Sequence, residues 1–468
     1  MFKLQIKYLS FFFGIVSILS FFNILYSYYF NLYLNLDTYY FTLLASSILF
    51  ITFFKFGKYD IKSNIFQRIL TIFLGYILIP LVLSIPFYFS IYNLTFSNSF
   101  FEAISGFTST GFTVFENIKL IDQSLIIWRS STQWIGGLYF LFSIIYLIDI
   151  YDDSFKKTLT NFISFNSSEI LKQAAKIFIL YSSLTILIFI VLNIFSIRTF
   201  DSLNLSLTII SSGGFLPVNE LSTIIKENAQ IIIFSLLMLF SFFSLFFSYN
   251  LIFLRKKNVN FFYEDLHLFV YLIIVTTIFF LFFSFNYDFF INLFAIISSM
   301  TNIGFSLSSG QENLNFIFLI LVIIGGSFFS TSSGLRFIKI YSLFKFSLNQ
   351  ILSFSRPKNV FMNKLIFTKI NFNLDEINKY FLTIIIFILS LFILTSLLSL
   401  SGITFVNSFK LAILTLMNTV NSSIYGLKEF DFYNLQLFSK YCLIFFMIVG
   451  RIELLTILLL IKKFLFKN

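Results

Sequence analysis

The sequence predicts an all-α polytopic membrane protein in which two extra N-terminal helices precede four repeats. In each repeat two crossing helices flank a short segment that does not cross. Three observations carry this: apolar stretches follow one another from end to end, four further apolar segments are too short to span, and three of those end in similar glycine turns. Of 468 residues, 58% are hydrophobic and 11% charged, with a mean hydropathy of +0.91, where a soluble domain carries roughly 25% charged residues. A soluble globule is therefore excluded.

A crossing helix needs about 20 apolar residues to traverse ~30 Å of hydrocarbon. Breaks at charged residues and at Gly, Asn or Ser clusters give spans near 8–30, 38–54, 69–92, 124–148, 175–197, 229–254, 267–285, 313–346, 379–400 and 437–461, ten crossings in all. Lys3 and Lys7 precede the first, which has no small-residue cleavage site, so it reads as a membrane helix and not a removable signal. With these spans 24 of the 32 Lys and Arg fall on one side, among them Lys55, Lys58, Lys156, Arg255, Arg336 and Lys462. The positive-inside rule makes that side cytoplasmic, with both termini inside. The net charge of +11 then reflects orientation and attraction to anionic lipid, and gives no support to a nucleic-acid partner. The resulting divisions are an N-terminal hairpin, 1–68, and repeats 69–157, 158–257, 258–370 and 371–468.

Scarce residues are the informative ones. Phe contributes 74 residues, and the excess of Phe, Ile, Asn and Lys over Ala, Gly and Pro matches an A/T-rich coding sequence. Against that background the 17 Gly and 4 Pro mark positions where the backbone demands them. The one cysteine, Cys442, allows no intrachain disulfide and no cysteine-based metal site. The one histidine, His267, reads as an interfacial residue at a helix start. A membrane-embedded enzyme would need nucleophile, acid and metal constellations that these residues, with no DxxD or HExxH pattern, do not supply.

The short segments are 98–112, 202–215, 289–306 and 408–424, each suited to a re-entrant helix and loop. Their ends compare directly: Ser109-Thr110-Gly111, Ser211-Ser212-Gly213 and Asn302-Ile303-Gly304, with the glycines 102 and 91 residues apart. The fourth, Thr419-Val420-Asn421, lies 117 residues further on and has Asn421 where the others have Gly. Ion dehydration asks for this pattern. A ring of backbone carbonyls replaces water around a cation, in conformations that often need φ > 0, which Gly supplies and Asn tolerates. A short helix ending at the ring adds a negative partial charge there. The twelve residues are thus the candidate ion-binding residues of a selectivity filter in a central pore; taken singly, each loop also reads as an outer surface turn.

Two anomalies suggest a gate. Gly325-Gly326 followed by five hydroxyl residues, Ser330 among them, and Gly334 interrupts an apolar run, and open backbone at membrane depth is tolerated only where it lines protein or water. A kinked helix stabilised by serine hydroxyls is the other reading. Arg451 lies near the middle of the last span, where an Arg costs about 2.5–3.5 kcal/mol on insertion scales, and faces either a pore or a partner helix. Glu453, two positions on, points to a different helix face. Glu102 and Arg129 read as anchors of the first loop.

These residues resemble the Trk/Ktr/HKT superfamily of potassium transporters. Phe101-Glu102-Ala103-Ile104-Ser105-Gly106-Phe107-Thr108-Ser109-Thr110-Gly111 is similar to its first pore loop, and Trp128–Gly137 to the following helix. Ile323–Ser327 with Ser330–Gly334 resembles its broken inner helix, and Val449–Thr456 its last helix, a match over about 95–465. The extra N-terminal helices and Glu453 resemble the Trk branch. The resemblance implies potassium held at the filter residues, no covalently bound cofactor, a homodimer in a bacterial inner membrane, and a cytosolic ring of nucleotide-binding regulatory subunits. Two departures stand out, Asn421 for the fourth filter glycine and Ser332-Ser333 for a Gly-Gly pair; the first points to the alternative of a sodium-permeable or weakly selective transporter.

Overall fold

The computed structural model describes residues 7–57, 64–147, 170–252, 263–283, 288–307, 314–354, 374–427 and 430–452. The expected repeat divisions at 158, 258 and 371, Glu453, and many of the positive residues used for orientation, Lys58, Lys156, Arg255 and Lys462 among them, lie outside these. The structure is almost entirely helical. Helices α1 (Lys7–Tyr29) and α2 (Leu36–Phe56) form the N-terminal hairpin. The first repeat is α3 (Ile65–Leu83) with its short extension α4 (Ile85–Tyr88), α5 (Phe96–Phe107) and α6 (Gln123–Tyr146). The second is α7 (Ile170–Ile194), α8 (Thr199–Ile210), α9 (Asn228–Phe242) and α10 (Leu245–Ile252). The third is α11 (Tyr263–Phe283), α12 (Phe289–Met300), α13 (Asn315–Ile323) and α14 (Phe337–Ser353). The fourth is α15 (Leu374–Leu400), α16 (Phe405–Leu416) and α17 (Leu437–Ile452).

Among the described residues six helices are long and apolar enough to cross a membrane: α1, α2, α3 with α4, α7, α11 and α15. The other expected crossings differ for identifiable reasons. Helix α6 has 24 residues but carries a polar stretch, Arg129 to Gln133, buried throughout. The expected span 229–254 is two helices, broken at Phe243-Ser244. The expected span 313–346 is broken as well: α13 runs into strand β1 (Ile324–Gly325), which pairs in parallel with β2 (Leu335–Arg336) ahead of α14. Helix α17 is described for 16 residues, to Ile452.

Lipid-facing and buried faces follow the helical period. On α2, Phe41, Leu44, Ile48 and Ile51 point outward at spacings of three and four and are each more than half exposed, which suits hydrocarbon. Inward, polar groups set the joints. Asn23 Nδ2 donates to Ser124 O at 3.0 Å and Tyr39 hydroxyl lies 3.0 Å from Ser124 Oγ, docking the hairpin on the start of α6. Helix α6 sits at the centre because small residues let other backbones approach it. A Cβ on Gly136 would collide with Phe107 O at the end of α5, and one on Gly137 would lie 2.9 Å from Ser211 Cβ, just beyond α8.

Candidate functional site

Helices α5, α8, α12 and α16 each have 12 residues, about 18 Å at 1.5 Å per residue, too short to cross. All four end in the same way. The residues after the C-caps Thr108, Ser211, Thr301 and Met417 are Ser109, Ser212, Asn302 and Asn418, and these have φ of 59°, 55°, 60° and 47°. Three of the ends share a Schellman pattern: Thr110 N donates to Ser105 O, Gly213 N to Thr208 O and Thr419 N to Leu414 O, at 2.8–2.9 Å. The left-handed turn reverses the chain and sends it back along its own helix.

This pattern fixes a register one residue away from the expected one in two loops. Gly111, Gly214, Gly304 and Val420 are equivalent, three residues beyond each C-cap. Gly213 corresponds instead to Thr110, Ile303 and Thr419. Ser211 is the helix cap, and Asn421 falls one residue past the fourth equivalent position, half-buried, its Nδ2 donating to Leu427 O at 3.2 Å. Gly214 and Asn418 are the residues the sequence reading passed over. A signal for Gly214 was present, since Gly111-Phe112, Gly214-Phe215 and Gly304-Phe305 share a dipeptide.

The four loops meet in cyclic order. Ser212 Oγ donates to Thr301 O (2.6 Å), joining the second to the third. Asn302 Nδ2 lies 3.4 Å from Thr419 Oγ1, joining the third to the fourth, and Asn418 Nδ2 donates to Thr110 Oγ1 (3.0 Å), joining the fourth to the first. Between the first and second, Gln133 Oε1 accepts from Phe215 N at 3.2 Å, and Gly213 leaves room for that side chain. Above the loops lies an open cavity of about 800 Å³ whose floor includes Gly111, Gly214, Gly304 and Val420 and whose wall carries Glu116, Glu220 and Asp431. Three exposed carboxylates around one mouth raise the local concentration of cations.

The first loop is pinned by charge. Glu102 accepts from Arg129 Nε at 2.8 Å, from Val114 N at 2.9 Å and from Thr113 Oγ1 at 3.0 Å. The guanidinium lies 4.2 Å from the centroid of the Phe215 ring, so it touches the second loop too. Neither residue reaches the ring of loop ends as a ligand.

Beneath the loops lies the segment 326–334, and its backbone groups are taken up by the broken α9–α10 helix. Ser327 N donates to Phe242 O (3.0 Å), Ser332 N to Ser241 O (3.0 Å), and Leu245 N to Phe329 O (2.9 Å). Its hydroxyls point up: Thr331 Oγ1 donates to Ile210 O at the end of α8 (2.7 Å), and Ser332 Oγ to Asn302 Oδ1 (2.7 Å). Arg451 donates from Nη1 to Ser333 Oγ and from Nη2 to Ser109 Oγ (3.3 Å) and Ser211 O (3.4 Å). Arg336 is buried, with Nη1 donating to Ser327 O and Ser332 O at 3.0 Å and Ser330 Oγ at 3.3 Å. Both guanidiniums lie over Phe140, at 5.1 Å for Arg336 and 4.3 Å for Arg451. Gly334, at φ 79°, turns the segment back into β2, and a Cβ on Gly325 or Gly326 would strike Ser333 O or Phe242 O. Two acids no motif indicated fasten the break: Asp265 accepts from Ser244 N and Oγ (2.8 and 2.7 Å), and Glu264 from Phe328 N (2.9 Å).

The structure thus gathers Ser109, Thr110, Gly111, Ser212, Gly213, Asn302, Ile303, Gly304, Thr419 and Val420 into one cluster, with Gly325, Gly326, Ser330, Gly334 and Arg451 directly below. Among the described residues no group of three or more His, Cys, Asp or Glu could hold a metal ion.

No family model matches the sequence. The chain is 25% identical over 424 residues to an uncharacterised cation transporter of Methanocaldococcus jannaschii, covering 84% of this chain and 82% of that one. It is 24% identical over 385 residues to the Trk system potassium uptake protein TrkH of Halomonas elongata, 78% of each chain, and 24% identical over 457 residues to the Trk system potassium uptake protein TrkG of Escherichia coli, 90% and 91%. The crystal structure of the potassium transporter TrkH from Vibrio parahaemolyticus superposes with a TM-score of 0.83 at 19% identity, over 98% of both chains.

Proposed function

We propose that this chain, a homologue of the Trk-type transmembrane subunits, takes up potassium through a carbonyl-lined path between its four loops, closed from below by the segment 326–334 and Arg451. The observation that carries the reading is the fourfold recurrence of a 12-residue helix ending in a left-handed residue, brought to one place in cyclic order. Four helix C-termini aimed at one point favour a cation there, and the carboxylates of the mouth gather cations above it. The segment below is polar, internally bonded and contacts three of the four loops through Thr331, Ser332 and, by way of Arg451, Ser109. That is what a plug needs if it is to be both stable in place and released as a unit.

The remaining expectations belong to the same reading: both termini and the bulk of the positive charge in the cytoplasm of a bacterium, a homodimer in the inner membrane, and a nucleotide-binding regulatory ring docked on the cytosolic face. Val420 at the fourth equivalent position, where the other loops have glycine, favours as a second reading a weakly selective or sodium-permeable path. The test is growth at limiting potassium of cells lacking their own uptake systems, with rubidium and sodium uptake measured beside it. Growth rescue with rubidium uptake above sodium supports potassium transport; sodium uptake without rescue supports the second reading; no uptake of either refutes both.

A further inference from the structure

The fourth loop differs from the others by a side chain, and the structure shows where that side chain goes. The inter-loop bonds run second to third, third to fourth and fourth to first, so the fourth loop faces the second across the centre of the ring. Yet Val420 reaches it. A Cβ placed on Gly214 would collide with Val420 Cβ and lie 2.9 and 3.0 Å from its two methyls. A Cβ on Gly304 would lie 3.0 Å from Val420 Cγ1, and one on Gly111 would lie 2.6 Å from Gly214 Cα. The isopropyl group is therefore wedged against glycines of the second and third loops, inside the ring and not behind its own backbone.

A cation crossing this level must keep oxygen around it, and methyl groups supply none; apolar constrictions of this kind close by shedding water. In a ring of four glycines the same space would be open. We propose that Val420 is an apolar stopper at the outer end of the ion path, opposed by Gly214, and that it sets the rate of permeation independently of the plug below. The inference rests on the reading of the four loops as a cation path. Val420 does not have the positive φ that would itself demand glycine, so Val420→Gly and Val420→Ala remove the obstruction without removing a required backbone conformation. Conversely Gly214→Ala adds a methyl from the opposite side, where it meets Val420.

The test is rubidium uptake into cells lacking their own systems, normalised to protein in the membrane. Val420→Gly is expected to raise uptake about tenfold or more, with Val420→Ala between it and the parent and Val420→Ile at or below the parent. Gly214→Ala is expected to abolish uptake, and the double change Gly214→Ala with Val420→Gly to restore it, which a general loosening of the fourth loop would not do. Uptake by Val420→Gly no greater than the parent's, or an equal rise in Val420→Ile, overturns the stopper. If in that case the parent still conducts above an empty membrane, the cation path stands; if parent, Val420→Gly and variants of the lower plug all remain at background, the path falls with it.

Discussion

Replacing Glu102 tests how the first loop is held. The carboxylate and Arg129 are 0% and 1% exposed, so the pair sits where solvent does not screen it, and among the contacts of the guanidinium Glu102 is the charge that balances it. Glu102→Ala removes the ion pair together with the acceptor for Val114 N–H. Breaking a buried pair from one side costs about 3–5 kcal/mol, a range that already includes most of the ~1–3 kcal/mol for an orphaned donor. Glu102→Gln loses the charge but keeps one acceptor, so the ~1–3 kcal/mol of an orphaned donor is largely avoided and a smaller penalty than for Glu102→Ala is expected. Replacing both partners with Leu restores an apolar, matched interior and is expected to be milder than Glu102→Ala, leaving mainly the Val114 donor unsatisfied. The measurement is the loss of the monodisperse peak on heating detergent-solubilised protein, for parent, two single variants and the double. An order of stability other than parent, double or Gln, then Ala would show that the pair does not carry the loop; Glu102→Ala melting together with the parent would sink the reasoning outright.

Removing the Arg451 charge, as Arg451→Gln or Arg451→Ala, takes away the partner of Ser333 and a positive charge beneath the loops, and should raise basal cation uptake without any cytosolic partner; well-inserted variants at or below parent uptake would make Arg451 a helix-pairing residue. Asn421→Gly should leave the potassium to sodium ratio unchanged, because the amide is engaged with Leu427 O outside the ring; a changed ratio in flux measurements would return Asn421 to the filter. Gly136→Ala should sharply reduce protein recovered from the membrane, since its Cβ would collide with Phe107 O and overpacking typically costs about 1–3 kcal/mol; normal yield and melting would mean that α5 and α6 can separate freely.

The recurrence of a short helix ending in a turn was legible because few residue types tolerate a left-handed backbone, and a 12-residue apolar helix is too short to be mistaken for a crossing one. The register within it was not, because Gly213-Gly214 offers two candidates and the choice is made by a hydrogen-bond pattern at the helix end. The break in the second repeat left no mark either: Phe242-Phe243-Ser244-Leu245 contains no Gly or Pro, and the interruption is held by Asp265 and by the segment of another repeat. The bonding of Arg336 was hidden for a related reason: next to Lys339 and Lys345 it reads as one of a run of cations, and its partners Ser327, Ser330 and Ser332 come to it only through the fold of 326–334.

The seams of the ring are not equal. Three are closed by short side chains of the loops themselves, Ser212, Asn302 and Asn418. At the remaining seam, between the first and second loops, part of the bridging falls to Arg451, which holds Ser109 and Ser211 with one nitrogen and Ser333 of the lower segment with another. A single planar group is thus the common hinge pin of two parts. A displacement of the lower segment would leave the guanidinium without one of its anchors, so that segment and the seam between the first and second loops are coupled through it. The second and third loops are tied to the same segment directly, through Thr331 and Ser332, and Arg451 is the tie that brings the first loop into that linkage.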